Sequence, residues 1–284
     1  MSTTSSIRNI SDTALWVAIY RARESERIDA IFKDPFARKL AGERGERIAA
    51  EIEPSMRYEW PYLARTWCFD KIINDSIREG ADTVINLAAG LDARPYRMDL
   101  PASLRWVEVD LPDMIDYKEE MLSAETARCH LERVKLDLRD QSGRRELFAC
   151  ISGESKRTLV LTEGLIVYLT RQQVTELAGD LATQESFHDW VTDLSSPALV
   201  KMLQKNLSAL DKANAPLIFG PEEGPDFFVP LGWRPVELFN MLKVAGKLRR
   251  LPFLFRLFAL FPDSKGKKPN AVWGGVVHLS RTDR

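Results

Sequence analysis

The chain has 284 residues, with 40 Lys and Arg against 41 Asp and Glu and a net charge of −1. An α/β chain of this length buries roughly three quarters of its unfolded surface, so it requires no metal or disulfide staple. The charge balance argues against a nucleic-acid footprint, which needs a strongly basic face, and Cys68, Cys129 and Cys150, odd in number and far apart, fit reduced thiols rather than bridges.

The first eleven residues are polar and lack the apolar core of a signal peptide. The longest apolar run, Leu251 to Pro262, is broken by Pro252 and Arg256 and falls short of the roughly 18 to 20 residues that span a bilayer. A cytoplasmic protein is expected. Residues 11 to 80 read as helical. Ser11 and Asp12 are N-cap candidates ahead of Leu15, Ala18, Ile19 and Ala22, and a second segment carries Ile28, Ile31 and Phe32 up to Asp34-Pro35. A longer helix follows Pro61, with Leu63, Phe69, Ile72, Ile73 and Ile77 on its apolar side and Gly80 as its C-terminal cap.

From residue 83 strand and helix alternate. Strands are predicted at 83–88, 104–109, 132–136, 158–162 and 187–193, with helices beginning near Pro95, Pro112, Gly143 and Arg171. Continuous apolar runs such as Thr158-Leu159-Val160-Leu161 suit strands covered on both faces. Five such units predict a doubly wound parallel sheet. After a long helical insertion, Asn270 to Ser280 reads as one last strand, carried by Val272, Val276, Val277 and Leu279. The whole chain is read as one domain. Residues 1–80 form a helical lid, 81–195 the ligand-binding core, and 196–284 an acceptor-side insertion with the final strands.

The most informative stretch runs from Thr83 to Asp113. Its strand ends in Leu87-Ala88-Ala89-Gly90-Leu91-Asp92, and Asp110 follows Gly90 by twenty residues, at the end of the next strand. This layout suits a nucleoside lying across the carboxyl ends of parallel strands, with Asp110 accepting from ribose hydroxyls. A dinucleotide would need more glycines so that backbone closes on a pyrophosphate, and Asp92 would repel phosphate. The loop therefore favours a nucleoside without phosphates, of which S-adenosyl-L-methionine is the commonest cofactor. Two more acids end strands: Asp137 after the third and Glu163 after the fourth. Asp137-Leu138 would bracket adenine, and Glu163 would balance the ammonium or sulfonium charge. Arg65, on the helix before the first strand, is either a clamp for the cofactor carboxylate or a surface arginine on an amphipathic helix.

The runs Ser11-Asp12-Thr13-Ala14, Tyr20-Arg21-Ala22-Arg23-Glu24, Asp34-Pro35-Phe36-Ala37 and Leu63-Ala64-Arg65-Thr66 carry a family resemblance. So do Asn86 to Arg94, Glu108-Val109-Asp110, Asp137-Leu138-Arg139-Asp140, Thr162-Glu163-Gly164-Leu165, Tyr168-Leu169 and Gly232-Trp233. In this order they resemble the leucine carboxyl methyltransferase family over nearly the whole chain. The resemblance implies a class I methyltransferase (Rossmann-like) doubly wound sheet, a late antiparallel strand, and an added N-terminal helical lid. It implies S-adenosylmethionine-dependent methyl transfer, with Arg65 and Arg23 at the cofactor carboxylate, the loop Ala88, Ala89, Gly90 and Asp92 beneath the cofactor, Asp110 at ribose with Leu111 also binding the cofactor, Asp137 and Leu138 at adenine, and Glu163 at the methionyl end. Ala88 departs from the Gly-Ala-Gly of many members and is expected to tighten or tilt the turn. The chain looks more like the bacterial small-molecule members, such as the polyketide carboxyl methyltransferase of tetracenomycin biosynthesis, than the enzymes that modify protein phosphatases.

A carboxylic acid, with a pKa of about 4, is ionised at neutral pH and needs no base, whereas a phenol at about 10 does. Only His130, His188 and His278 are available, and His188 beside Asp189 is the sole plausible base. This poverty favours carboxyl O-methylation of a small, fairly apolar metabolite. O-methylation of a phenol or alcohol through His188, methylation of a protein C-terminal carboxylate, an NAD-dependent reductase and a silent binding module are the alternatives. Tyr20, Arg23 and Tyr168 are candidates to orient the acceptor, or packing residues. The basic and apolar stretch Leu242 to Phe261 is expected to be a lid helix roofing a greasy pocket, with its basic residues facing water, rather than a helix lying on anionic lipid. Asp226-Phe227-Phe228-Val229-Pro230 is expected to line the same pocket. Peripheral membrane contact, a metal and a nucleic-acid partner are not expected. A homo-oligomer is left open.

Overall fold

The computed structural model describes residues 12–52, 58–206, 216–261, 266 and 268–282. Five parallel strands form its centre: β1 (Thr83–Leu87), β2 (Arg105–Asp110), β3 (His130–Lys135), β4 (Thr158–Thr162) and β5 (Phe187–Ser195). They fall where the apolar runs place them. β7 (Gly274–Arg281) pairs antiparallel with β5, and β6 (Trp233–Asn240) pairs antiparallel with β7, giving the order β3-β2-β1-β4-β5-β7-β6. The late antiparallel strand is thus second from the edge.

Every residue of β1 and β4 is buried, as expected of parallel strands covered on both faces. The two-residue alternation sorts them. Val84, Trp106 and Leu159 sit in one register and pack on Phe69, Ile72 and Ile73 of α3 (Trp60–Arg78). Ile85, Val107 and Val160 sit in the next and pack on Phe148 of α6 (Gln141–Glu154) and Leu177 of α7 (Arg171–Ala182). A separate apolar cluster joins α1 (Asp12–Ser25) and α2 (Ala37–Ile52) to Leu91, Ala93 and Tyr96, which follow β1. The N-terminal helices therefore press on the carboxyl edge of the sheet. There the strand order reverses between β1 and β4 and leaves a crevice.

Four expectations need correction. Residues 26–36 are not helical: Glu24 accepts from the Ile31 amide at 2.8 Å and Ser25 Oγ from the Asp34 amide at 2.7 Å, so side chains replace helix bonds, and Ile28 is fully exposed. β6 carries Pro235 beside a register shift; proline is tolerated on an edge strand but masks the strand in the sequence. The stretch from Leu242 is not one helix. It breaks at Arg249, with φ +57°, and Pro252 into α9 (Met241–Lys247) and α10 (Phe253–Phe258). Phe227 and Phe228 pack in the core, the latter 5.1 Å from the Trp190 ring, and do not line the crevice. Gly80, at φ +98°, does follow α3 as a cap. Ser11 lies outside the described residues, while Asp12 is buried and pairs with Arg44 at 2.7 Å.

Two residues before Asp110, fully buried Glu108 takes Lys118 of α5 (Pro112–Met121) at 2.7 Å and Arg133 of β3 at 2.9 Å. Removing one partner of such a set leaves charge uncompensated in the interior. Lys118→Met should cost about 3 kcal/mol in urea unfolding; a loss under about 1 kcal/mol would show the pair to be dispensable.

Candidate functional site

A cavity of about 1170 Å³ opens over the switch point. Its floor is the loop after β1. Ala88 adopts the left-handed conformation at φ +54°, which a side chain disfavours by roughly 1–2 kcal/mol, so the departure from glycine falls on a strained position. Gly90, at φ +49°, lies under Ala14 of α1, and a Cβ there would stand 3.3 Å from the Ala14 methyl. The Gly90 amide donates to Asp110 Oδ2 at 2.6 Å and the Leu111 amide to Oδ1 at 2.7 Å. Two backbone donors thus hold Asp110 at the cavity wall. Burial pushes its carboxyl above the ordinary value and those two bonds offset only part of that, which leaves an acceptor short of donors.

Behind the loop runs a chain of alternating charges. Asp193, two residues before the end of β5, takes Arg65 Nη1 at 3.4 Å, and Arg65 Nε reaches Glu163 at 3.0 Å. Glu163 and Asp92 share Arg94 Nη1, each at 2.8 Å, and Arg94 Nε meets Asp70 at 2.6 Å. Arg97 continues to Asp70 at 2.7 Å and to Asp34 at 3.8 Å, and Arg21 closes the chain on Asp34 at 2.9 Å. Burial alone would raise Glu163, but Arg94 and Arg65 outweigh it and hold the carboxyl below its usual range. Burial likewise opposes Arg94, Lys118 and Arg97 at Asp92, and again the cations win. Asp193 goes the other way: burial raises it beyond what Arg65 and the Gly164 amide, 2.5 Å away, pull back. Gly164, at φ +70°, lets the chain pass the Arg65 guanidinium, which a Cβ would meet at 3.3 Å.

Most expected residues line the cavity: Arg65, Ala88, Ala89, Gly90, Asp92, Asp110, Leu111, Asp137, Leu138, Glu163 and Tyr168. Asp137 is half-exposed, and its carboxylate accepts from the neighbouring Arg139 amide and guanidinium, at 2.9 and 2.6 Å. Tyr168 comes from the short 3-10 turn Ile166–Tyr168, and burial pushes its phenol up.

Three expected residues stand elsewhere. On α1 the cavity is lined by Thr13, Ala14, Trp16, Val17 and Arg21, which share one side of the helix at three- and four-residue spacings. Arg23, two residues beyond Arg21, faces away and pairs with Glu59 at 2.9 Å. Tyr20 turns into the helical core, its ring 5.5 Å from that of Tyr62. His188 sits near the start of β5, seven residues before the lining Ser195 and so roughly 20 Å from the carboxyl edge; its Nδ1 lies 2.8 Å from the Ser186 carbonyl. Arg21, Tyr62, Arg94, Arg97 and Asp193 also line the cavity, with no site role expected of them from the sequence. Asp193 ends its predicted strand as the other acids do, so its signal was present. Arg94 has only Asp92 as a local partner, and Asp70 and Glu163 are remote in sequence.

The model of the leucine carboxyl methyltransferase family matches residues 14–182. A protein of Parafrankia sp. (strain EAN1pec), named as an S-adenosyl-L-methionine-dependent methyltransferase, is 32% identical over 269 residues, covering 85% of this chain and 82% of its own. One of the same description from Rhodococcus jostii (strain RHA1) is 33% identical over 199 residues, covering 67% of this chain and 64% of its own. The chain belongs to the leucine carboxyl methyltransferase family. The fold agrees. A methyltransferase-described structure from Thermobifida fusca YX superposes with a TM-score of 0.59 at 13% identity, covering 98% of this chain and 96% of its own. A DUF574 family protein from Streptomyces avermitilis gives 0.63 at 11% identity, covering 95% and 97%. The sheet is that of the class I methyltransferases.

The cofactor of these family members is S-adenosyl-L-methionine, as the relatives' names state, and the cavity suits it. Asp110 accepts one backbone hydrogen bond on each oxygen, which leaves further lone pairs for a ribose diol. Four arginines, Arg21, Arg65, Arg94 and Arg97, stand against five acids, Asp34, Asp70, Asp92, Glu163 and Asp193, leaving one negative charge for a ligand of net positive charge. Asp110→Asn should weaken S-adenosylhomocysteine binding about 10- to 100-fold by calorimetry and lower the unfolding midpoint by a few degrees, since its amide nitrogen would face one of the two backbone N–H groups that the carboxylate accepts from. Unchanged affinity would remove Asp110 from the site.

Proposed function

We propose that this chain methylates a carboxylate oxygen of a small, largely apolar acid, forming a methyl ester. The observation that carries this reading is the placement of all three histidines away from the cavity. His130 is exposed at the start of β3, His188 lies at the far end of β5, and His278 Nε2 is 2.8 Å from Asp189 Oδ1. Tyr62 and Tyr168, which line the cavity, are no substitute, because burial pushes their phenols up. Asp193 is engaged by Arg65 and the Gly164 amide. An acceptor that arrives already ionised fits such a site, and a phenol or alcohol, which needs a base, does not.

Bound S-adenosylmethionine supplies an electrophilic methyl group, whose transfer to an ionised carboxylate leaves neutral S-adenosylhomocysteine and no proton to move. The chain's own residues position and dry the reactants. Asp110 would hold the ribose, Asp137 and Leu138 the adenine, and Glu163 with Asp193 the cationic methionyl end, held in place by Arg65 and Arg94. Trp16, Trp60, Met202, Leu203, Phe255 and Phe258 supply an apolar wall that strips water from an acceptor. Desolvation and alignment of that kind are worth several kcal/mol of barrier.

Methyl-labelled cofactor incubated with apolar carboxylic acids and matched phenols tests this reading. Base-labile label should appear on the acids, with kcat/KM flat from about pH 6 to 9, and His188→Ala should leave it unchanged. Preferential labelling of phenols, with a rate that climbs tenfold per pH unit, would overturn carboxylate methylation.

A further inference from the structure

The helix α10 buries no residue of its own. Phe253, Leu254, Leu257 and Phe258, with Leu260 and Phe261 just beyond, are 58–79% exposed. So contiguous a set of large apolar side chains is unusual on a soluble surface and marks a place where something docks. The charge around it says what. From 241 to 261 there is no acidic residue and there are five basic ones. Arg250 is taken by Glu24 at 2.8 Å and Asp29 at 3.1 Å, but exposed Lys247, Arg249 and Arg256, and Lys268 beyond, form no ion pair among the described residues. In a chain of net charge −1 this is a local cationic excess.

We propose that α10 and its basic flanks are a docking surface for an anionic lipid bilayer. Phenylalanines and leucines would enter the boundary between headgroups and chains, while lysine and arginine heads stay with the lipid phosphates. A second copy of the chain is a poorer occupant, because a two-fold contact would bring the same unpaired cations face to face. The surface is also continuous with the acceptor end of the cavity: Phe255 and Phe258 belong to its wall. Docking thus brings that end of the cavity to the lipid boundary. This inference stands on exposure and charge and is independent of which group is methylated.

Flotation with phosphatidylcholine vesicles, with and without phosphatidylserine, tests it on the full chain. The protein should float with the serine lipid, and binding should fall at least tenfold when salt rises from about 0.1 M to about 1 M. Phe253→Ser/Leu254→Ser/Leu257→Ser and Lys247→Glu/Arg256→Glu should each lose at least tenfold in binding. Both alter exposed side chains only, and the salt series on the unaltered protein gives an answer even if a variant misfolds. Failure of the unaltered protein to float with either lipid, equal binding to both, or concentration-dependent dimerisation abolished by the serine variant would overturn the proposal.

Discussion

The site depends on the alternation of Asp193, Arg65, Glu163, Arg94, Asp70, Arg97, Asp34 and Arg21, with Asp92 as a fifth carboxylate, on Arg94, behind the loop that follows β1. These charges come from α1, the turn after it, α3, the loop after β1, both ends of α4 (Arg94–Arg97), the residue after β4 and, two residues before its end, β5. No two adjacent elements could place them alone. A buried ion pair roughly breaks even as a source of stability, because desolvation takes back what attraction supplies. What the array contributes is position and sign. It ties the helical additions to the carboxyl edge, and its odd carboxylate leaves a negative field in a space with apolar walls. A cationic cofactor completes the array, and a phosphate-bearing one would be repelled.

The same constraint explains the backbone of the loops. Ala88 and Gly90 both take positive φ, so the chain folds down tightly enough for the Gly90 amide to reach Asp110. Gly164 lets the β4 loop run beneath the Arg65 guanidinium, and its amide meets Asp193. Each turn conformation thereby serves a charged side chain on another element.

The core of this design was legible in the sequence because it is written locally. Apolar runs of five or six residues mark buried strands, and an acid at the end of each marks the crevice: Asp110, Asp137 and Glu163 all reach it. Asp193 obeys the same rule as the last residue of the predicted fifth strand, although Leu194 and Ser195 extend the strand past it. What failed was orientation and distance. Arg21 and Arg23 look alike in a run, yet two residues around a helix separate a cavity face from a surface face. His188 is on the right strand at the wrong end. Pro235 hid an edge strand, and Ile28 and Ile31 suggested a helix where side-chain bonds from Glu24 and Ser25 make turns instead.

Whether the array builds a cradle for an adenosine-sulfonium ligand is decided most directly by thermal unfolding with S-adenosylhomocysteine and, separately, with NAD. S-adenosylhomocysteine should raise the midpoint saturably and NAD should leave it where it is. A rise with NAD and none with S-adenosylhomocysteine would contradict the account.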